Sequence, residues 1–246
     1  ELLYQHAFGE TSVTAQLTGG VSRGDLVVSG GNGNVVNFRA PLLAVNVALE
    51  RGPFMLRFGR LRADFGSSNF SALNNLTAQL EGAGFGQLAR DMTIVGGKKI
   101  DFTSLGLTMD WNNIVLQSEF GRRHAAEPVY VPDNDAWYLM AGYRIGSFLP
   151  YYAHAAVRQT GRSVALPANF PTGGALATAV DYGFLTSPEQ YSDLVGVRWN
   201  FAKSRALTVQ IDRLRPTAKN GELIFGPAGG LRGSVIVMAA ALDFVF

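Results

Sequence analysis

The fold is first indicated by AAALDFVF, residues 239–246. Counted by twos from its end, the chain gives an apolar series that runs Phe246, Phe244, Leu242, Ala240, Met238, Ile236. The interleaved positions are mostly small and include Asp243. Because successive side chains of a strand point to opposite faces, this period of two predicts a β-strand with one apolar face. Whether that face meets a protein core or lipid depends on the rest of the chain.

The same alternation recurs in five further runs, at 42–50, 104–111, 136–145, 151–158 and 194–201. In each run every charge falls on the second face. In 151–158 that face carries His154 and Arg158, opposite Tyr151 and Val157. An arginine or lysine on a lipid-facing strand position costs about 2–4 kcal/mol at the bilayer midplane. The one-sided placement of charge therefore favours strands that face lipid.

Composition narrows the classes of protein. The chain has 246 residues, of which 16% are charged, against about 25% in soluble proteins. Its sequence contains no run of about 18 apolar residues, which excludes a transmembrane helix. With zero cysteines it has neither a disulfide scaffold nor a thiolate metal site. The formal net charge of +2 is too small and too scattered to suggest nucleic acid as a partner.

The links between the alternating runs are short and long in turn, which is typical of an up-and-down transmembrane barrel. Short links lie at 9–11, 51–53, 112–113, 146–148 and 202–204, and long ones at 23–37, 64–101, 124–134, 160–190 and 217–232. We expect an all-β, antiparallel barrel domain over 1–246 with about eleven strands, at 1–8, 12–22, 39–50, 54–63, 102–111, 114–123, 135–145, 149–159, 190–201, 205–215 and 233–246. Since bacterial single-chain barrels have even strand counts, an odd number of strands should precede Glu1, which we expect to be an interior residue of a longer protein.

Two strands break phase at their loop ends, beside the RLR tripeptides at 60–62 and 213–215. A β-bulge would restore the phase and turn Arg62, Arg213 and Arg215 inward. Alternatively, these arginines have left the hydrocarbon layer and reach the lipid headgroups. The sequence leaves both interpretations open.

The long link at 64–101 has its own pattern. Leucines at 73, 76, 80 and 88, interrupted by glycines, predict two short helical turns within 71–89. This loop either folds into the lumen as a constriction or caps the barrel from outside.

Three hairpins and the terminal strand are together similar to the C-terminal part of Gram-negative outer-membrane porins with 16 strands. They are GPFMLRFGRLRADF (52–65), WYLMAGYRIGSFLPYYAHAAVR (137–158), VGVRWNFAKSRALTVQIDRLRP (195–216) and the terminal ALDFVF. The resemblance runs over nearly the whole chain and implies five further upstream strands. It also implies an outer-membrane location and an assembly signal at Phe246, Phe244 and Leu242 for the barrel-assembly machinery. Outer-membrane lipid and lipopolysaccharide would surround the barrel. Related porins occur as a homotrimer or as monomers, so the oligomeric state stays open.

Residues on the inward faces are the candidates for a pore lining: Arg57, Arg62, Arg144, Arg158, Arg198, Glu119 and His154. Arginine predominates in the expected middle and outer half of the lumen, and a ring of arginines in a hydrated pore favours anions. We therefore expect a passive channel for small polar solutes, with a weak preference for anionic ones. In the alternative interpretation the arginines and carboxylates pair across strands and stiffen the wall.

No cofactor, metal cage or catalytic motif is found in the sequence, and the protein is not expected to be an enzyme. The histidines His124 and His154 keep a second hypothesis open, a barrel enzyme of protease or lipase type acting at the rim. A plugged receptor or structural barrel is the third.

Overall fold

The computed structural model describes residues 1–27, 35–67, 71–92, 98–125, 133–161, 166–184, 189–217 and 233–244. Within these ranges no helix is long and apolar enough to cross a membrane. Expected features at other positions, including Phe246 of the assembly signal, lie outside the described residues.

In the described ranges, eleven strands form one antiparallel sheet in which each strand pairs with its neighbours in sequence. They are β1 Leu2–Phe8, β2 Thr11–Val27, β3 Val35–Arg51, β4 Phe54–Ser67, β5 Lys98–Trp111, β6 Ile114–Ala125, β7 Asn134–Tyr143, β8 Phe148–Gln159, β9 Gln190–Ala202, β10 Arg205–Pro216 and β11 Val235–Phe244. This confirms the predicted all-β up-and-down topology. The predicted link at 23–37 is too long, because β2 and β3 continue into it and pair as far as Val27 and Val35.

The short turns share one device at one end of the sheet. Four of them begin with a residue of positive φ, namely Gly9 (59°), Gly52 (54°), Asn112 (52°) and Gly146 (59°). Glycine and asparagine adopt this left-handed backbone most readily, and tight hairpins need it because it matches the twist of the flanking strands. Turn chemistry therefore fixes which strand ends are joined closely.

The sheet has two chemically different faces. Leu56 pairs with Leu107 across β4 and β5, and Leu139, Val195 and Ile211 continue the same face in later strands. We call it the apolar face. Its large side chains are exposed, with Leu107 at 46% and Met238 at 74%. The opposite surface, called the polar face, carries Thr, Gln, Asn, Arg and Glu at alternate positions, so side-chain period and cross-strand pairing agree over the sheet.

Of the two interpretations of the RLR segments, the strand pairing rules out bulges at the loop ends of β4 and β10. The pairing of β4 with β5 runs without interruption from Phe54↔Met109 to Phe65↔Lys98. In β10 the register shift lies between Arg205 and Leu207, at the short-turn end, and pairing is regular from there to Pro216. An uninterrupted strand keeps its alternation, so the RLR arginines stay on the apolar face, as the second interpretation requires.

Three helices pack against one another: α1 Ser71–Gly82, α2 Gly86–Met92 and α3 Ala175–Phe184. Their shared core consists of buried side chains, among them Leu73, Leu80, Met92 and Val180. The two helical segments predicted for 71–89 are confirmed, whereas α3 was not predicted from the sequence. Among the described elements, these helices contact each other and none of the strands. Whether this helical cluster constricts or caps the barrel stays a prediction.

Candidate pore wall and charged belt

The polar face is built by alternate residues of long strands, which place Arg57, Gly106 and Glu119 side by side on β4, β5 and β6. Gly106 has no side chain to separate its neighbours, and a Cβ there would lie 3.5 Å from Arg57 Nε. The guanidinium thus extends over the glycine toward Glu119. The wall at this point forms a recess of about 320 Å³ whose polar lining includes Gln16, Asn46 and Ser104.

Two other inward arginines are neutralised by carboxylates near the short turns. Arg144 donates two hydrogen bonds to Asp110, and Arg198 donates to Asp243 across β10. Among the described residues Arg57 has no such carboxylate partner. Arg57 is therefore the inward arginine best placed to meet a solute.

Charges of both signs line the polar face. Arg57, Arg123, Arg144 and Arg198 share it with Glu50, Asp110, Glu119, Asp212 and Asp243. The side chains described on this face show no excess of basic residues, whereas the middle and outer half of the lumen was expected to be net basic. The physical reason is the strand register, which removes four of the expected arginines from the polar face.

The register places Arg62, Arg158 and His154 on the apolar face, against the expected inward orientation. Arg62 pairs with Asp101, Arg158 with Asp135 and His154 with Leu139. The alternation of β8 misled because small residues occupy both of its sides, so Tyr151 and Ala153 looked like the lipid-facing set. Cross-strand partners in β7 settle the face, and they put Tyr152 and His154 beside Ala141 and Leu139. The pore-lining roles of Arg57, Arg144, Arg198 and Glu119 stay predictions.

The displaced arginines form a structure of their own at the loop end of the apolar face. We call it the arginine belt and define it by nine strand residues: Arg60, Arg62, Asp101, Arg122, Asp135, Arg158, Asp193, Arg213 and Arg215. No sequence motif marks Arg60, Arg122 or the three aspartates as a site. The available signal was parity, since Arg60 and Arg62 share it with Phe54, Leu56 and Phe58.

Aspartates hold the belt together. Asp101 accepts two hydrogen bonds from Arg62, at 2.7 and 2.9 Å, and also lies 3.2 Å from Arg60. Asp135 accepts two from Arg122, at 2.7 and 2.8 Å. Such paired bonds from a planar guanidinium to a carboxylate fix orientation as well as charge. The side chain of Asp135 is only 4% exposed while that of Arg122 is 59% exposed, so the acid is covered and the base is presented.

Histidines and aromatic rings border the belt. His124 Nδ1 lies 2.6 Å from Asp133 Oδ2, and His154 Nδ1 lies 2.8 Å from Asp193 Oδ1. The guanidinium of Arg122 lies over the ring of Phe120, and that of Arg215 over Tyr191, at 5.7 and 5.1 Å from the ring centres. Contacts of this kind are favourable cation–π interactions.

Comparisons with known proteins support the fold of the chain but assign it to no family. No family model and no curated protein sequence matches the chain. Among solved structures, an anion-selective porin from Comamonas acidovorans superposes with a TM-score of 0.51 at 13% identity, over 98% of this chain and 55% of that one. Two further structures give a TM-score of 0.37 each. The toluene transporter TodX from P. putida is 13% identical over 87% of this chain and 66% of its own. A Pseudomonas aeruginosa FadL homologue is 12% identical over 95% of this chain and 61% of its own. The chain thus spans about half the length of the porin, and its eleven described strands have the antiparallel up-and-down fold of a porin-type β-barrel.

Proposed function

We propose that the chain is part of an outer-membrane porin, a channel through which small polar solutes diffuse passively. The observation that carries this proposal is the division of the sheet into two faces. Large apolar side chains are exposed along one face of the strands, from Leu43 on β3 to Leu242 on β11. A soluble protein would bury such a surface, whereas a membrane barrel turns it to lipid and keeps its polar side chains for a hydrated interior.

The recess beside Arg57 supports a weak selectivity. Carboxylates counter Arg144 and Arg198, while Arg57 faces the recess with Glu119 as its neighbour in register. An uncompensated guanidinium in a water-filled wall attracts anions, and the nearby carboxylate limits that attraction. The support for an anion preference therefore comes mainly from one residue.

A barrel enzyme is the alternative that the His–Asp pairs raise. A hydrolase of that kind needs a nucleophile within hydrogen-bond reach of the histidine. In the described part of the chain, the hydroxyl bonded to the His154–Asp193 pair is that of Tyr152, which donates to Asp193 rather than to the imidazole. The pairs also belong to a series of like contacts along the same strand ends. This arrangement favours the channel.

The terminal strand supports the proposed assembly signal. Phe244 and Leu242 lie on the apolar face of β11, an outer strand of the described sheet, where another protein can reach them. We include recognition by the barrel-assembly machinery in the proposal.

Conductance of the protein in a planar bilayer, with reversal potentials under a salt gradient, tests the channel. We expect steady open channels with a small anion preference, and Arg57→Gln should shift the reversal potential toward cations. Lys99→Gln, a loss of the same charge at the loop end of the apolar face, is the matched control and should leave it unchanged. A folded protein that conducts no ions would refute the proposal.

A further inference from the structure

Three belt arginines lie equally far along their strands from the short-turn end, and the other three lie within two residues of that distance. Arg62 is eight residues beyond Phe54, the first residue of β4; Arg122 is eight beyond Ile114, and Arg213 eight beyond Arg205. With a rise of about 3.3 Å per residue and a tilt of about 40°, eight residues climb roughly 20 Å. The apolar band of an outer-membrane barrel is about 25 Å tall. The belt therefore lies near the level where acyl chains end and lipid headgroups begin.

Its charge is unbalanced in favour of the bases. Six arginines stand against three aspartates in the nine belt residues. Arg62 donates hydrogen bonds from Nε and Nη2 to Asp101, and Arg122 donates from the same two atoms to Asp135. A guanidinium has five N–H donors, so the Nη1 end of each remains available. The aspartates thus orient the arginines and leave part of their hydrogen-bonding capacity free.

The lateral spacing of these donors is regular. Arg60, Thr103, Arg122, Asp135 and Arg158 are direct cross-strand neighbours on successive strands. Arg60 and Arg122 are separated by one strand, and so are Arg122 and Arg158. With strands about 4.8 Å apart, the backbones of successive arginines are about 10 Å apart. A headgroup with more than one phosphate could contact two of them at once.

A second observation comes from β2 and β3. Arg23 and Arg39 face each other directly across these strands, both exposed on the continuation of the same face, and neither has an acidic partner among the described residues. Like charges placed opposite each other destabilise a sheet. An anion between them removes the repulsion, so this pair also points to an anionic ligand outside the barrel.

We propose that the arginine belt is a binding site for a membrane glycolipid that carries more than one phosphate, the chemistry of lipopolysaccharide. Guanidinium groups bind phosphate through paired hydrogen bonds. The apolar band with Phe58, Phe120 and Trp137 directly beside the belt takes the acyl chains of the same molecule. The occupant is therefore a lipid rather than a free phosphate or a peptide. The inference rests on the proposed membrane location but not on channel activity.

Native mass spectrometry of the detergent-purified protein, titrated with purified lipopolysaccharide, tests the proposal. We expect retained lipid, and affinity weakened about tenfold or more when Arg62→Gln, Arg122→Gln and Arg158→Gln are combined, because each loses a charged hydrogen bond to phosphate. Arg57→Gln, on the other face of β4, is the control and should bind as the native protein does. Replacing the same three arginines by lysine should restore only part of the affinity, since lysine keeps the charge but cannot bind bidentately.

Two probes keep the test independent of how well the variants fold. Lipopolysaccharide stripped of its phosphates should bind the native protein as weakly as the glutamine variant binds the intact lipid. Phosphatidylglycerol, with one phosphate, should also bind more weakly than intact lipopolysaccharide. The proposal would be overturned if dephosphorylated lipopolysaccharide or phosphatidylglycerol bound the native protein as tightly as intact lipopolysaccharide does. Unchanged affinity of the triple glutamine variant for intact lipopolysaccharide would also overturn it. Conductance measured in parallel separates the outcomes, because open channels without lipid binding contradict this inference alone.

Discussion

At the residue scale, position within a strand decides what an arginine does. Arg57 and Arg62 are five residues apart on β4, and an odd separation puts them on opposite faces. Arg57 meets the recess of the polar face, whereas Arg62 meets Asp101 on the apolar face. The same side chain is thus a candidate solute contact in one case and a candidate lipid contact in the other.

Close packing on the polar face gives a residue-scale prediction. A Cβ on Gly196 would lie 2.4 Å from Tyr151 Cζ, and the Tyr151 hydroxyl donates to Gln210 at 3.1 Å. Gly196→Ala should displace the ring, break this hydrogen bond and lower the unfolding free energy by about 1–3 kcal/mol. Gly20→Ala, on the same face with nothing within 4 Å, should change it far less. Urea titration in lipid vesicles measures both, and equal losses would contradict the account.

At the element scale, partner strands determine which face of a strand is which. The sequence of β8 alternates ambiguously, and the pairing of Leu139 with His154 resolves it. The helices obey a different rule, because their apolar residues meet in a small core of their own that includes Leu80 and Val180. The orientation of the strands and the packing of the helices therefore need separate experimental tests.

The faces of β8 can be tested by substituted cysteines, because the chain has no cysteine of its own. We expect Ala153→Cys and Ala155→Cys, on the polar face, to react with a water-soluble maleimide in the membrane-inserted protein. Ala156→Cys, beside Trp137, should instead be reached by a lipid-soluble quencher after labelling in detergent. The reverse pattern would restore the orientation first expected from the sequence.

The helical cluster should be separable from the sheet. Leu80 is fully buried in the core of α1, α2 and α3, and these helices make no contact with the described strands. Leu80→Ala should destabilise the cluster by about 2–5 kcal/mol through the cavity it leaves. Protease cleavage within 71–92 should become faster, while heat-modified gel migration of the barrel stays the same. Gln79→Ala, exposed on the same helix, is the control, and a barrel that melts with the cluster would contradict the separation.

At the scale of the whole molecule, one sheet presents an apolar face suited to lipid and a polar face suited to water. The apolar face ends at the arginine belt near the loops, and glycine-containing turns close the other end. The height of the band between these limits matches the hydrocarbon layer of an outer membrane. The strand lengths of the protein therefore agree with the thickness of the membrane in which we expect it to lie.

A charge placed in the middle of the band tests this match. Leu107 is on the apolar face of β5 and Thr108 is on the polar face, one residue further along. Leu107→Arg should lower the unfolding free energy in lipid vesicles by about 2–4 kcal/mol, because the guanidinium enters hydrocarbon. Thr108→Arg should cost much less, since its side chain enters a hydrated interior. Denaturant titrations give both values, and similar costs would refute a lipid-facing apolar surface.

Much of the fold follows from local patterns. The eleven strands, the short turns and the two helical segments of 71–89 were predictable, because a strand period of two and a positive-φ turn residue are properties of neighbouring residues. The candidate site was predictable only in part. Arg57, Arg144 and Arg198 were placed on the polar face correctly, since the runs around them alternate strongly. Arg62, Arg158 and His154 were not.

The reason lies in what each level of information contains. The amino-acid pattern already contains the alternation between an apolar and a polar surface, and with it the two-faced, up-and-down sheet. Strand pairing was needed to show which surface receives a residue where small or basic side chains make the alternation ambiguous, as in β8 and at the RLR segments. Register is a relation between strands that are far apart in sequence, and each shift by one residue exchanges the two faces. The arginine belt exists only through that register, because its aspartates and arginines come from different strands and meet across them.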